Sequence, residues 1–264
     1  MSAAAQAVRQ LRFTNKAFWR NPASAFFTFA FPLMFLVIFT ALLGQGQVEL
    51  RGFELDTTTY YVGAMAAFGV VSACFTNIAI QTTFNRDAGI LKRLRGTPLP
   101  AGAYMAARVL HAMVVGAILV AITLVFGRFV YDSPIPTGGP LVEFTVTFLV
   151  GSLSFAALAL ALTAVIPNAE AAPPIVNAAI LPLLFLSGIF IPLDDEAPQW
   201  ITTVADVFPV KHFADAMRAG FLGNIEVAAS RVFVFDWVDV AIVAAWGVAG
   251  LILAARFFSW EPRR

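Results

Sequence analysis

Six long apolar runs alternate with short polar segments along the chain, at 23–43, 60–84, 104–126, 141–166, 173–191 and 237–258. Almost no charge interrupts them. An α-helix needs roughly 20 mostly apolar residues to cross a hydrocarbon core, and these runs have about that length or more. The pattern predicts an all-α polytopic membrane protein with six transmembrane helices in a single domain, 1–264. Buried helices of soluble proteins can be as apolar, but they are usually shorter, and one domain of this size could not hide six. Ahead of the first run, Arg9, Arg12, Lys16 and Arg20 recur at spacings of three and four, with Val8, Leu11, Phe18 and Trp19 gathered beside them. That pattern predicts an amphipathic helix within 1–22, lying in the membrane interface. Asn21-Pro22 then breaks it and turns the chain into the bilayer. The alternative is a basic leader that only signals topology.

Composition supports the membrane assignment, since charged residues make up 12% of the chain against roughly 25% in soluble domains. The net charge of +1 hides an asymmetry between loops. Arg9, Arg12, Lys16 and Arg20 precede the first run; Arg86, Lys92, Arg93 and Arg95 follow the second; Arg256, Arg263 and Arg264 follow the sixth. The alternate loops carry Glu49, Glu54, Asp56, Asp132, Asp194, Asp195, Glu196, Asp206 and Asp215. Positive loops stay cytoplasmic, so both termini and the 85–103 loop are expected inside the plasma membrane. The first run is too long for a cleaved signal peptide and reads as a retained anchor. Cys74, the single cysteine, lies within a run and reads as a packing residue.

The 85–103 loop is the most informative polar segment. A short helix through Ile90, Leu91 and Leu94 would carry Arg86, Lys92, Arg93 and Arg95 on its other sides, stopped by Gly96 and Pro98. An apolar knob on a basic helix suits docking into another protein's groove; a solvated loop whose charges set topology fits equally. In the second run, Asn77, Gln81 and Asn85 fall at i, i+4 and i+8, either lining a substrate path or bonding to neighbouring helices. The fourth carries Ser152, Ala156, Ala159 and Thr163 on one small face suited to close packing. Beyond the fifth, Asp194, Asp195, Glu196 and Pro198 suit a helix start. Two short helices, within 199–207 and 210–222, are expected in the 193–225 segment as re-entrant or interfacial caps on the outer face. Trp200, Ile201, Val204 and Val207 give the first of them an apolar face.

Absent motifs narrow the function. No G-x-x-x-x-G-K-[ST] loop occurs, so the chain is not expected to hydrolyse ATP. Two histidines and one cysteine offer no metal set. Gly151-Ser152-Leu153-Ser154 lacks a histidine at matching depth and reads as packing. The span cores hold no carboxylate of the kind ion-coupled carriers use; Glu170 falls on a turn. An enzyme is therefore not expected, and an autonomous carrier or channel is the alternative to an ATP-driven transporter subunit.

Two stretches bear a family resemblance. One is Arg86-x-x-Gly89-x-Leu91-x-Arg93-Leu94 running on to Thr97-Pro98-Leu99; the other is Leu186-Ser187-Gly188-x-x-x-Pro192 followed by Pro209-Val210-Lys211-His212 and Arg218. Together with the order of helices, they make the whole chain resemble a permease subunit of the type-2 ABC exporters, a group that exports drugs, antibiotics, lipids and polysaccharides. The resemblance implies a dimer with an identical or related permease chain and a cytoplasmic ATP-binding subunit, where the ATP and magnesium would reside. It implies no cofactor in this chain and no nucleic-acid partner. The 86–98 loop would be the ATPase-coupling element, with the 167–172 turn as a lesser contact. There Ile90, Leu91 and Leu94 would dock, while Arg86, Arg93 and Arg95 would pair with acids on the ATPase. Asn77 and Gln81 become candidates for the substrate path, and Pro192, Pro209 and Arg218 for the outer gate. The 26 Phe suit a hydrophobic or amphipathic cargo.

Overall fold

The computed structural model describes residues 3–43, 46–50, 53–97, 99–193, 198–227, 230–231 and 234–261. Eleven α-helices and two small hairpins are formed by these residues. Asp194, Asp195 and Glu196, expected to start a helix, lie outside them, as do Pro98, Arg263 and Arg264.

Helix α1 (Ala3–Trp19) precedes α2 (Pro22–Leu42), which starts on the proline of Asn21-Pro22. Strands β1 (Gln47–Leu50) and β2 (Phe53–Asp56) then pair antiparallel, with Val48 opposite Leu55. The chain continues as one long helix: α3 (Thr57–Val71), a π-helical turn at Ser72–Thr76, and α4 (Asn77–Asp87). Gly89, at φ +67°, separates α4 from α5 (Ile90–Arg95); a side chain would be strained in that left-handed conformation. Helices α6 (Ala101–Tyr131), α7 (Gly138–Leu162) and α8 (Ala172–Leu186) follow. Then come α9 (Gln199–Val207), α10 (Pro209–Leu222), the β3 (Glu226–Val227) and β4 (Ser230–Arg231) hairpin, and α11 (Trp237–Phe257).

Five of these helical stretches are long and apolar enough to cross a membrane: Ala25–Leu42, Thr57–Asp87, Gly102–Tyr131, Gly138–Leu162 and Trp237–Phe257. The run expected as a fifth span folds as α8, which is only 15 residues long, or about 22 Å against a core of roughly 30 Å. After it the chain leaves the helix but stays inside the protein, for Ser187, Gly188, Ile189 and Phe190 are all buried.

Thr57–Asp87 is the central helix, buried along most of its length, with α2, α6 and α10 around it. The outward positions of its neighbours are apolar: Phe26, Phe27, Phe129, Leu153, Leu251 and Ile252 are all exposed. So wide an apolar surface would aggregate in water and is at home in lipid. Inside, small residues set the spacing. Ser152, Ala156 and Ala159 of α7 form a buried face that Thr163 at its C-terminal cap continues, and Gly151 takes the ring of Phe213. Cys74 is a free, buried thiol.

Helices α7 and α11 cross in close contact. A Cβ on Gly247 would stand 2.8 Å from Ser154 Cβ and 2.9 Å from its Cα, and one on Gly250 would stand 2.8 Å from Leu158 N. Close backbone approach at small residues is how helices associate where lipid is as apolar as the side chains. Gly247→Val is therefore expected to separate the pair and cost about 1–3 kcal/mol. Thermal melting of the detergent-solubilised chain measures it, with Ala249→Val on an exposed position of the same helix as control.

Candidate functional site

The 85–103 loop is held near its start by Arg86 and Asp87. Arg86 is buried at the end of α4, and its Nη1 donates to the Thr163 carbonyl at 2.8 Å. Its Nη2 donates to the carbonyls of Ile166 at 2.6 Å and Pro167 at 3.5 Å. Asp87 accepts a hydrogen bond from the Ala169 amide. A helix C-terminus leaves four carbonyls without intrahelical partners, and a guanidinium offers donors in a fixed fork to meet them. Arg86 and Asp87 thus clamp the turn between α7 and α8 to the base of α5.

This corrects one expectation. Arg86 does not reach outward to a partner's acids, because its guanidinium is occupied by backbone carbonyls inside this chain. Leu91, expected to dock, is fully buried as well. On α5, Lys92 and Arg93 remain exposed, Ile90 is 38% exposed and Leu94 half-buried. Arg93 donates to the Ala88 carbonyl, and Arg95 ends the helix.

Asn77 and Gln81 lie on the wall of a cavity of about 370 Å³ between α1, α4, α5 and α6. The π turn sets their direction. One extra residue in a turn rotates the rest of the helix by roughly 100°, and it falls just ahead of Asn77, where the wholly buried face of α3 gives way to the polar stripe. Asn85 Nδ2 donates to the Tyr104 hydroxyl at 3.4 Å. Opposite, α1 presents Gln10, Thr14 and Phe18, the last in edge contact with His111 of α6. Arg9, Arg12 and Lys16 of α1 and Arg20 just after it are all exposed. The expected apolar face divides: Leu11 and Phe18 turn inward, while Val8 and Trp19 are about half exposed.

A second cluster forms where α10 meets the segment after α8. Arg218 is buried, with Nη1 donating to the Gly188 carbonyl at 2.9 Å and the Tyr60 hydroxyl at 2.5 Å. Its Nη2 donates to Asp215, and its guanidinium lies 5.2 Å from the Tyr60 ring centroid. Tyr60 donates to the Gly188 carbonyl, and Tyr61 donates to that of Phe190 at 3.1 Å. Pro209 is buried at the start of α10, whereas Pro192 is partly exposed and belongs to no bond of this cluster. Sequence reasoning found Arg218 and missed Tyr60 and Tyr61, whose only signal was a pair of hydroxyls at the end of an apolar run.

His212 ties α10 to α11. Its Nδ1 lies 2.7 Å from Asp239 Oδ1 and its Nε2 2.9 Å from the Asp206 carbonyl. Burial disfavours the charged ring, but these hydrogen bonds and the two aspartates outweigh it and raise the pKa above the ordinary 6.5. The folded state then holds the proton more tightly than the unfolded one. Its stabilisation is complete below the unfolded pKa and is lost as pH rises through the folded pKa. Melts at about pH 5.5 and about pH 8.5 are expected to show the lower stability at the higher pH, and His212→Gln is expected to remove most of that difference.

Among the described residues these bonds are mechanical ties between helices. Residues 6–222 match the ABC-2 type transporter family model. The chain belongs to the ABC-2 type transporter family. Similar proteins include the "Putative transport permease ycf38" of Porphyra purpurea, 25% identical over 85% of this chain and 76% of that one. The "Putative transport permease YvfS" of Bacillus subtilis (strain 168) is 23% identical over 74% of this chain and 76% of its own. The "Putative transport permease ycf38" of Pyropia yezoensis is 24% identical over 76% of this chain and 68% of its own. This ABC-2 type transporter chain is thus a membrane transport component, and the family implies an ATP-binding partner.

Proposed function

We propose that the chain is the permease subunit of an ATP-driven exporter in the plasma membrane, with both termini cytoplasmic. A second permease chain and two copies of a separate ATP-binding subunit complete it. The cargo is hydrophobic or amphipathic, a drug, antibiotic, lipid or glycolipid, and export is the direction the family resemblance implies. A sixth crossing is made by α8 together with 187–193. Non-helical backbone at membrane depth is tolerated where protein satisfies its polar groups, and Tyr60, Tyr61 and Arg218 do so for the carbonyls of Gly188 and Phe190. Helices α9 and α10 form a re-entrant pair on the outer side, with Trp246 of α11 donating to the Val207 carbonyl at their turn.

The observation that carries the reading is the placement of α5. It is a six-residue helix with outward cations, pinned through Arg86 and Asp87 to the neighbouring turn. A push on α5 is therefore delivered to α4, α7 and α8 together. Ile90, Leu94 and Arg93 are the partner-facing set, the side chain of Arg95 lying outside the described ones, and Pro192, Pro209 and Arg218 shape the outer gate. Reversing the exposed cations, Lys92→Glu with Arg93→Glu, is expected to cut co-purification of the ATP-binding subunit about tenfold or more, two charge reversals costing over 1.4 kcal/mol. The melting temperature should stay at the wild-type value. Undiminished recovery of that subunit would sink the docking assignment, and substrate movement in liposomes lacking any ATPase would replace the reading with an autonomous carrier.

A further inference from the structure

The cavity beneath α1 carries unmatched chemistry. Arg108 lines it, and among the described residues no carboxylate lines it and none pairs with this arginine. His111 Nδ1 is buried with no hydrogen-bond partner among those residues. Asn77 and Gln81 likewise face the space from α4. A buried polar atom left without a partner costs about 1–3 kcal/mol, and beside it stands the partly buried cation of Arg108, so the site suits something that supplies both acceptors and negative charge. Water supplies acceptors but no charge.

Size and position favour one source. A water occupies roughly 30 Å³, so a cavity of about 370 Å³ has room for a headgroup and its glycerol. Arg108 lies two turns into α6, about 10 Å from its start at Ala101, the depth of headgroups and glycerol ester oxygens under an interfacial helix. Phe13, Phe18 and Val115 on the same walls offer apolar surface to the first methylenes of an acyl chain. Arg9, Arg12 and Lys16 on α1 and Arg20 just after it are exposed, where they concentrate anionic lipid beside the cavity. We propose that this cavity binds the phosphate headgroup of an anionic phospholipid from the adjoining leaflet, with Arg108 as its cation and Asn77, Gln81 and His111 as hydrogen-bonding partners. The lipid wedges α1 against α4 and α6 and fixes the angle at which the interfacial helix meets the bundle.

The test uses the full chain in mild detergent and reads bound lipid by native mass spectrometry, so it requires neither an ATPase nor a known cargo. Phosphatidylglycerol is expected to be retained over phosphatidylcholine by about fivefold, the worth of one cation near an anionic headgroup. Arg108→Gln should abolish that preference and Arg256→Gln, at the far end of the chain, should leave it. A photoreactive phosphatidylglycerol should label peptides carrying residues 10–18 and 104–115, which keeps the site testable if Arg108→Gln fails to fold. Equal retention of the two lipids, an unchanged preference in Arg108→Gln, or labelling confined to other peptides would each overturn the proposal. Displacement of the lipid by inorganic phosphate alone would overturn it in favour of a soluble anion. Failure of the ATP-driven reading would leave all these outcomes unaltered.

Discussion

Replacing Arg86 with leucine is expected to lower stability by on the order of 3 kcal/mol and to abolish both transport and ATPase-subunit association. Three backbone carbonyls, of Thr163, Ile166 and Pro167, lose a charged donor at once, and hydrogen bonds to charged groups are worth about 1.5–3 kcal/mol each. Leucine fills part of the volume, so packing recovers some of the loss, while the carbonyls stay unmatched. Arg86→Lys should be intermediate, because an ammonium is a point charge and cannot fork across carbonyls on successive turns. Asp87→Asn tests the other half of the clamp. Its amide retains an oxygen for the Ala169 N–H, so the expected loss is smaller, below about 1.5 kcal/mol. The measurement is thermal melting by size-exclusion recovery, paired with co-purification of the ATP-binding subunit. Wild-type stability in Arg86→Leu would mean that the 163–171 turn is held by packing alone.

The same residue shows where sequence reading stops. Arg86, Arg93 and Arg95 look alike in a basic loop, and nothing local separates a cation that meets solvent from one that meets carbonyls about eighty positions away. Leu91 and Leu94 pose the same problem, since a six-residue helix of mixed pattern has no single buried face until α4 and α6 are placed. Long apolar runs were legible because lipid demands length and hydropathy and little else. The stripe of Asn77, Gln81 and Asn85 was legible at helical spacing, yet its partners were not. The π turn at Ser72–Thr76 re-aims it, and no residue there announces an inserted position. Alternation in 47–56, with Val48 opposite Leu55 and Leu50 opposite Phe53, was a missed hairpin signal. Gly188 and Pro192 were legible only as part of a family motif at the end of the fifth run; the tyrosines that satisfy the carbonyls there lie in another span.

Arg218→Leu is the second variant with a large expected effect, and it should separate transport from partner binding. Arg218 donates to Gly188, Tyr60 and Asp215. Removing it leaves a half-buried carboxylate one turn away and a buried carbonyl short of a donor. Breaking a buried pair by removing one partner costs about 3–5 kcal/mol. Tyr60→Phe removes one hydroxyl and leaves Arg218 on Gly188 and Asp215, so about 1–2 kcal/mol is expected. Because both groups share the Gly188 carbonyl, the two losses should not add, and a double-mutant cycle should return a coupling above about 0.5 kcal/mol. Asp215→Asn alongside Arg218→Leu removes the stranded charge and should recover part of the stability. Gly188 joins the same unit, since at φ +73° a Cβ would also stand 3.0 Å from Arg218 Nη1. The hydrogen bonds that join these residues run to one another and not to α5 or the 163–171 turn, so the ATP-binding subunit should still co-purify with Arg218→Leu while transport is lost. Loss of both together would place Arg218 in the folding of the whole bundle and remove it from the outer gate.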